Sequence, residues 1–139
     1  MGQFKTIGQT GKASEFAPLL DVQVVTDNIT LTAADNGKTF IVTADAKTIT
    51  LPATEKGLYF KFINGGANGA VLVTISPNAS DAIFGTTNAS TNVALSGVDD
   101  KDLLNTKATA IKGDTVTLYG DGDTGWFAGD FGGIWASQS

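Results

Sequence analysis

The chain has 139 residues, 42% of them hydrophobic, with 17 glycines against 3 prolines and a formal net charge of -5, a size that suits one domain with a buried core. His, Cys and Arg are all absent, and the 9 basic residues are all Lys. The sequence therefore lacks the usual general base near neutral pH, a thiolate nucleophile, any Cys/His zinc site and the mixed Lys/Arg clusters that hold nucleic-acid backbones.

Residues 1–20 sustain neither a period of 2 nor one of 3.6. Gly2, Gly8 and Gly11 are scattered among polar residues, with Phe4, Ile7, Phe16, Leu19 and Leu20 as isolated apolar points. Lys5 and Lys12 against Glu15 give this segment +1, which leaves -6 on the remainder. It reads as an extended N-terminal arm whose spaced apolar residues dock on a partner. The segment has no continuous apolar stretch of the secretory type, and the chain offers no run of about 20 apolar residues to cross a bilayer. The expectation is a protein made in a cytoplasm, with no membrane partner.

From Asp21 onward the texture is β. Val22-Gln23-Val24-Val25 and Ile29-Thr30-Leu31 alternate, Asp35-Asn36-Gly37-Lys38 is a turn, and Thr39-Phe40-Ile41-Val42 forms the next strand. Thr48-Ile49-Thr50-Leu51 stops at Pro52, which has no N–H to donate to a ladder. Residues 53–56 have the composition of one helical turn. Leu58-Tyr59-Phe60-Lys61-Phe62-Ile63 ends at Asn64-Gly65-Gly66, and Ala70-Val71-Leu72-Val73-Thr74-Ile75 ends at Ser76-Pro77. Residues 78–107 are weakly periodic and read as a surface excursion, holding Ala82-Ile83-Phe84-Gly85, a polar tract from Thr86 to Asn92 and one short strand candidate, Val93-Ala94-Leu95. Residues 110–126 then write strand, turn and strand, with Gly113-Asp114 and Gly120-Asp121-Gly122-Asp123 as the reversing elements.

Eight or so short strands punctuated by turns predict an all-β fold, an antiparallel β-sandwich or barrel spanning residues 21–139 behind the arm. Ile49-Thr50-Leu51, Val73-Thr74-Ile75 and Val116-Thr117-Leu118 share an apolar-Thr-apolar pattern, which ordinary half-buried strand alternation also produces.

Reactive constellations are sparse. Asp121-Gly122-Asp123-Thr124-Gly125 resembles the start of a calcium loop, but the bidentate carboxylate required at position 12 would be Gly132, so turn chemistry is the better account. Asp99-Asp100-Lys101-Asp102 reads as solvated charge. Gly2 with Thr6 fits the bare myristoylation pattern, and three glycosylation sequons begin at Asn28, Asn78 and Asn88; all are permissive matches. With two glutamates, Glu15 and Glu55, and most aspartates in turns, no acid–base pair stands out. The expectation is a protein that is not an enzyme and needs no cofactor or metal. Phe131, Ile134 and Trp135 join the arm residues as candidates for partner binding.

Taken in order, Leu31-Thr32-Ala33-Ala34-Asp35-Asn36-Gly37-Lys38-Thr39-Phe40, Thr48-Ile49-Thr50-Leu51-Pro52, Gly57-Leu58-Tyr59-Phe60-Lys61-Phe62-Ile63, Ala110-Ile111-Lys112-Gly113-Asp114-Thr115-Val116-Thr117-Leu118 and Gly125-Trp126 resemble the small β-structured virion proteins of tailed bacteriophages. Capsid decoration, or cement, proteins are the most similar kind. The resemblance implies a structural role on the outer capsid surface, bridging neighbouring major capsid protein subunits, with self-association as a homotrimer. A head-fibre or tail-fibre module for host adhesion is the alternative it implies.

Overall fold

The computed structural model describes residues 21–87 and 93–139. Thirteen strands are assigned among them: β1 Val22–Val25, β2 Ile29–Thr30, β3 Thr39–Val42, β4 Lys47–Thr50, β5 Tyr59–Asn64, β6 Val73–Ser76, β7 Ala82–Phe84, β8 Thr86–Thr87, β9 Val93–Ala94, β10 Leu103–Asn105, β11 Thr115–Gly120, β12 Gly125–Gly132 and β13 Ala136–Ser137. They form a six-stranded sheet in the order β1-β3-β5-β11-β12-β7, a five-stranded sheet in the order β13-β10-β6-β4-β2, and the small pair β8-β9. The fold is an all-β sandwich, as expected. No helix of the described residues is long and apolar enough to cross a membrane.

Strand direction departs from the antiparallel expectation. β1–β3, β3–β5, β2–β4, β4–β6 and β12–β7 all pair in parallel. The cause is the winding. From β1 to β6 the chain alternates between sheets, so odd strands fall in one and even strands in the other. Each return to the first sheet passes through a strand of the second and arrives in the original direction. A parallel neighbour needs a crossover, and here the facing sheet supplies it in place of a helix. The outcome is a short solenoid of three two-strand rungs, β1/β2, β3/β4 and β5/β6. Each rung buries its apolar side against the other sheet and its edges against adjacent rungs. β10 and β11 then pair antiparallel to β6 and β5, and β13 and β12 lie beyond them.

The register sets two of the apolar-Thr-apolar phrases side by side in the five-stranded sheet, two residues out of step, and leaves Val116-Thr117-Leu118 in the other sheet. Ile29 stands beside Ile49, and Ile49 beside Ile75, all three on the five-stranded sheet. In the other sheet Phe40, Phe62 and Val116 form one row. Phe40 and Phe62 stack with ring centroids 5.6 Å apart, and Phe60 meets Trp126 at the same distance. These residues belong to one buried cluster that includes Val25, Val42, Ile49, Leu51, Val73, Ile75, Leu103, Leu118 and Trp135. Fully burying such side chains contributes about 1.5–3 kcal/mol each, which dominates the folding free energy.

Two local readings are corrected. Residues 53–56 form no helical turn: the Leu58 N–H closes a turn onto the Glu55 carbonyl at 3.1 Å, and the Thr54 N–H goes to the Asp81 carboxylate at 2.8 Å. Pro52 precedes too few residues for helical hydrogen bonds to outweigh these. Residues 78–107 are not simply an excursion either, since they carry β7 in one sheet and β10 in the other, with Ala82, Ile83, Leu95 and Leu103 buried. Strands of three residues are too short to display a period. The turn expected at Asp35–Lys38 is present, with Lys38 pairing with Asp35 at 2.9 Å, and it is preceded by a 3-10 turn over residues 33–35 that Thr32 and Asp35 cap reciprocally.

A buried polar network joins the sheets. Asn64 on β5 donates its amide to Asn105 Oδ1 on β10 at 2.7 Å and to the Val71 carbonyl at 2.9 Å. Asn105 donates in turn to Asp114 Oδ2 and to the Ile134 carbonyl, both at 3.0 Å. Asp114 Oδ2 also accepts the Ile111 N–H at 2.9 Å, and Asn64 Oδ1 accepts the Gly66 N–H at 2.9 Å. Removing one member strands the others in a dry interior, where an unsatisfied polar group costs about 1–3 kcal/mol and a charged one more. Asn105→Ala is expected to lower unfolding stability by about 2–4 kcal/mol through two such losses and a small cavity. Urea denaturation checks this: the midpoint falls while the slope with denaturant is kept.

Candidate binding surfaces

The acidic turn between β11 and β12 is consumed by its own geometry. Asp121 Oδ1 accepts the N–H groups of Asp123, Thr124 and Gly125 at 2.8, 2.9 and 2.9 Å, and Oδ2 accepts the Thr124 hydroxyl. The Thr124 hydroxyl, followed by the Gly125 and Asp123 amides, stabilises the charged carboxylate and draws its pKa down to about 2. Gly125 is required here: at φ 145° its missing Cβ would lie 2.0 Å from the Ala82 carbonyl oxygen. Among the described residues no group of three or more Asp or Glu could hold a metal ion. Asp99 and Asp100 are exposed, and Asp100 donates its N–H to the Asp81 carbonyl at 3.0 Å.

The candidate partner residues separate. Phe4, Ile7, Phe16, Leu19 and Leu20 lie outside the described residues. Trp135 is buried, its indole N–H donating to the Gly132 carbonyl at 3.0 Å, so it belongs to the core and is not the exposed docking group expected. Phe131 packs against the same core. A bulge brings it there: Thr117 faces Gly129 but Thr115 faces Gly132, so β12 carries one extra residue and Phe131 loses its place on the outer face. Ile134 is exposed and lines a cleft of about 380 Å³ together with Ala94, Leu95 and Ala136.

Two further surfaces lie on the outer face of the six-stranded sheet. At its β1 edge, Val22 and Val24 are 48% and 57% exposed on a strand paired on one side only. Val24 stands beside Ile41 and Ile41 beside Ile63, both half-buried, so the edge carries a small apolar patch. Alternation in Val22-Gln23-Val24-Val25 is visible in the sequence, but which valines face out depends on the rung geometry.

Farther across the same face, Tyr59, Tyr119, Phe127 and Phe84 occupy one register row over β5, β11, β12 and β7. Tyr59, Tyr119 and Phe127 are exposed. The rings form two stacked pairs, Tyr59 with Tyr119 at 6.1 Å and Phe84 with Phe127 at 5.5 Å. The Tyr119 hydroxyl donates to Asp130 Oδ2 at 2.9 Å, and this bond to the carboxylate, then partial burial, raises the tyrosine pKa. Asp130 reaches it from a left-handed backbone conformation, φ 53°, inside the bulge. The phrases around Tyr59 and Tyr119 read as strands from local alternation, whereas the row itself requires the pairing of segments far apart in sequence.

No protein-family model matches the chain, and no curated protein matches it in sequence.

The depressed pKa of Asp121 makes a testable statement about pH. Its ordinary value is 3.8 and its folded value about 2, so the stabilisation is fully present above the unfolded value and is lost as pH falls through the folded one. The stability gap between the wild type and Asp121→Asn is expected to narrow as pH drops from 4 to 2, by about one protonation event. Thermal unfolding across that window measures the gap, and the carboxyl carbon shift of Asp121 reports its titration directly.

Proposed function

We propose that the chain is a virion structural protein of a tailed bacteriophage, a capsid decoration protein that seats on the outer surface of the mature shell and bridges neighbouring major capsid subunits. The phrases that carry the phage resemblance fall on β3, β4, β5, β11 and β12, so they constitute the scaffold of the sandwich. The observation that carries the reading is the first rung. β1 has an open edge and two exposed valines, and it follows immediately after residues 1–20, whose isolated apolar residues suit docking in a groove between subunits. An edge strand with exposed apolar side chains offers main-chain hydrogen bonds and apolar contact to the same partner.

Many modest contacts repeated over a lattice add through avidity, particularly where the protein is itself a trimer at a symmetry point. Binding to the mature shell alone stabilises that state by mass action. The sheet behind β1 is held by paired rungs and a close-packed core, so load applied at the edge is passed into a rigid body.

The measurement is occupancy on purified shells of the phage that encodes the protein. Deleting residues 1–20 is expected to abolish stable occupancy, and Val22→Lys with Val24→Lys to reduce it about tenfold or more by placing charge in an apolar contact. Full occupancy without residues 1–20 would remove the arm from the mechanism. Failure of the intact protein to bind the shells at all would overturn the reading.

A further inference from the structure

We propose that the aromatic row Tyr59–Tyr119–Phe127–Phe84 is a binding platform for a linear oligosaccharide, a site separate from the β1 edge and independent of the decoration role. Its residues come from four adjacent strands of one sheet. At about 4.8 Å between neighbouring strands the row spans about 14 Å, a length for a chain of sugars and not for a single one.

The shape of the stripe selects the occupant. Two residues along the strands, on the same face, lies the row Thr39–Lys61–Thr117–Gly129, which is polar or lacks a side chain. The aromatic surface is thus one residue wide and bordered by hydrogen-bonding groups. A protein partner, including a second copy of this chain, calls for a broader apolar patch of several hundred Å². A pyranose chain has the matching profile, with an apolar C–H face to lie on the rings and a rim of hydroxyls to meet the polar border.

The border is already in place. Asp130 is fixed by the Tyr119 hydroxyl, and an ionised carboxylate retains further acceptor sites for sugar hydroxyls. Lys61 supplies a donor from the neighbouring row. Gly129 adds no side chain to this border, and a Cβ there would make only ordinary van der Waals contact with Tyr119 Cε2, at 3.8 Å. Rings held in stacked pairs on a paired sheet lose little freedom when a ligand settles on them.

The full chain applied to a printed array of plant, bacterial and animal oligosaccharides, followed by calorimetric titration of the strongest binder, tests the platform. Phe127→Ala and Tyr119→Ala are each expected to weaken binding about tenfold, equivalent to about 1.4 kcal/mol, while Tyr119→Phe, which keeps the ring and loses the bond to Asp130, falls between. Unchanged thermal unfolding would establish that these exposed substitutions preserve the fold. Val22→Lys with Val24→Lys is expected to bind sugar as the wild type does, so loss of shell docking and loss of sugar binding are separable. A blank array, or binding indifferent to Phe127→Ala and Tyr119→Ala, overturns the proposal. So does a blank array from an oligomer that Phe127→Ala dissociates in sedimentation, which would assign the stripe to contact between copies.

Discussion

The hydrogen bond from Asn64 to Asn105 joins the two sheets through the interior of the sandwich, and the connections at that end of the molecule are arranged around it. Asn64 ends β5 and holds the turn toward β6 through Val71 and Gly66. Asn105 ends β10 and holds the approach to β13 through Ile134. Asp114, tied to both Asn105 and Ile111, sets the entry to β11. Apolar burial is non-directional and would tolerate a slide of one sheet over the other. A fully satisfied polar group tolerates none, because any slide leaves donors without acceptors. Gly133 records how closely this end is closed: at φ 85°, a Cβ there would overlap the Asp114 carboxyl group at 2.2 Å.

The opposite end is fastened by backbone proximity. Thr54 donates its hydroxyl to the Gly125 carbonyl at 2.5 Å and accepts the Gly122 N–H at 3.2 Å, while its own N–H reaches Asp81. The β11–β12 turn, the segment after β4 and the entry to β7 are thereby clasped together. β7 can then pair in parallel with β12 even though 40 residues separate them. The aspartates and glycines of that turn are spent on shape, and a carboxylate already receiving three backbone amides and a hydroxyl is poorly placed to recruit a cation.

What the sequence made legible follows the range of the forces. Strands of four or more residues, such as Thr39–Val42 and Tyr59–Asn64, and the Asp35-to-Lys38 turn are readable because alternation and turn chemistry are local. The parallel winding was not. Ile29, Ile49 and Ile75 look like generic strand residues until their register places them side by side. β7 and β10 hid in a stretch that seemed loop-like because three residues carry no period. Of the site residues, Trp135 reads as a partner-binding candidate because such an aromatic suits a core and an interface equally; the burial of its ring places it in the core. Tyr59 and Tyr119 read as strand residues in the sequence, and only the pairing of β5 with β11 makes them neighbours.

Winding also decides where a binding surface can arise. Alternation forces the inner faces to be apolar and close-packed, so Phe40, Phe60, Phe62, Leu118 and Trp126 are committed to the core. The outer face of the six-stranded sheet is free of that demand, yet it carries Tyr59, Tyr119 and Phe127 exposed in one row and Val22 and Val24 exposed at the edge. The bulge in β12 discriminates between adjacent aromatics on the same strand: it turns Phe131 toward the core, leaves Phe127 outside, and lifts Asp130 to the Tyr119 hydroxyl. A single inserted residue thus converts a continuous apolar strand end into one core anchor and one polar rim, and stability alone gives no reason to hold a carboxylate beside an exposed aromatic row.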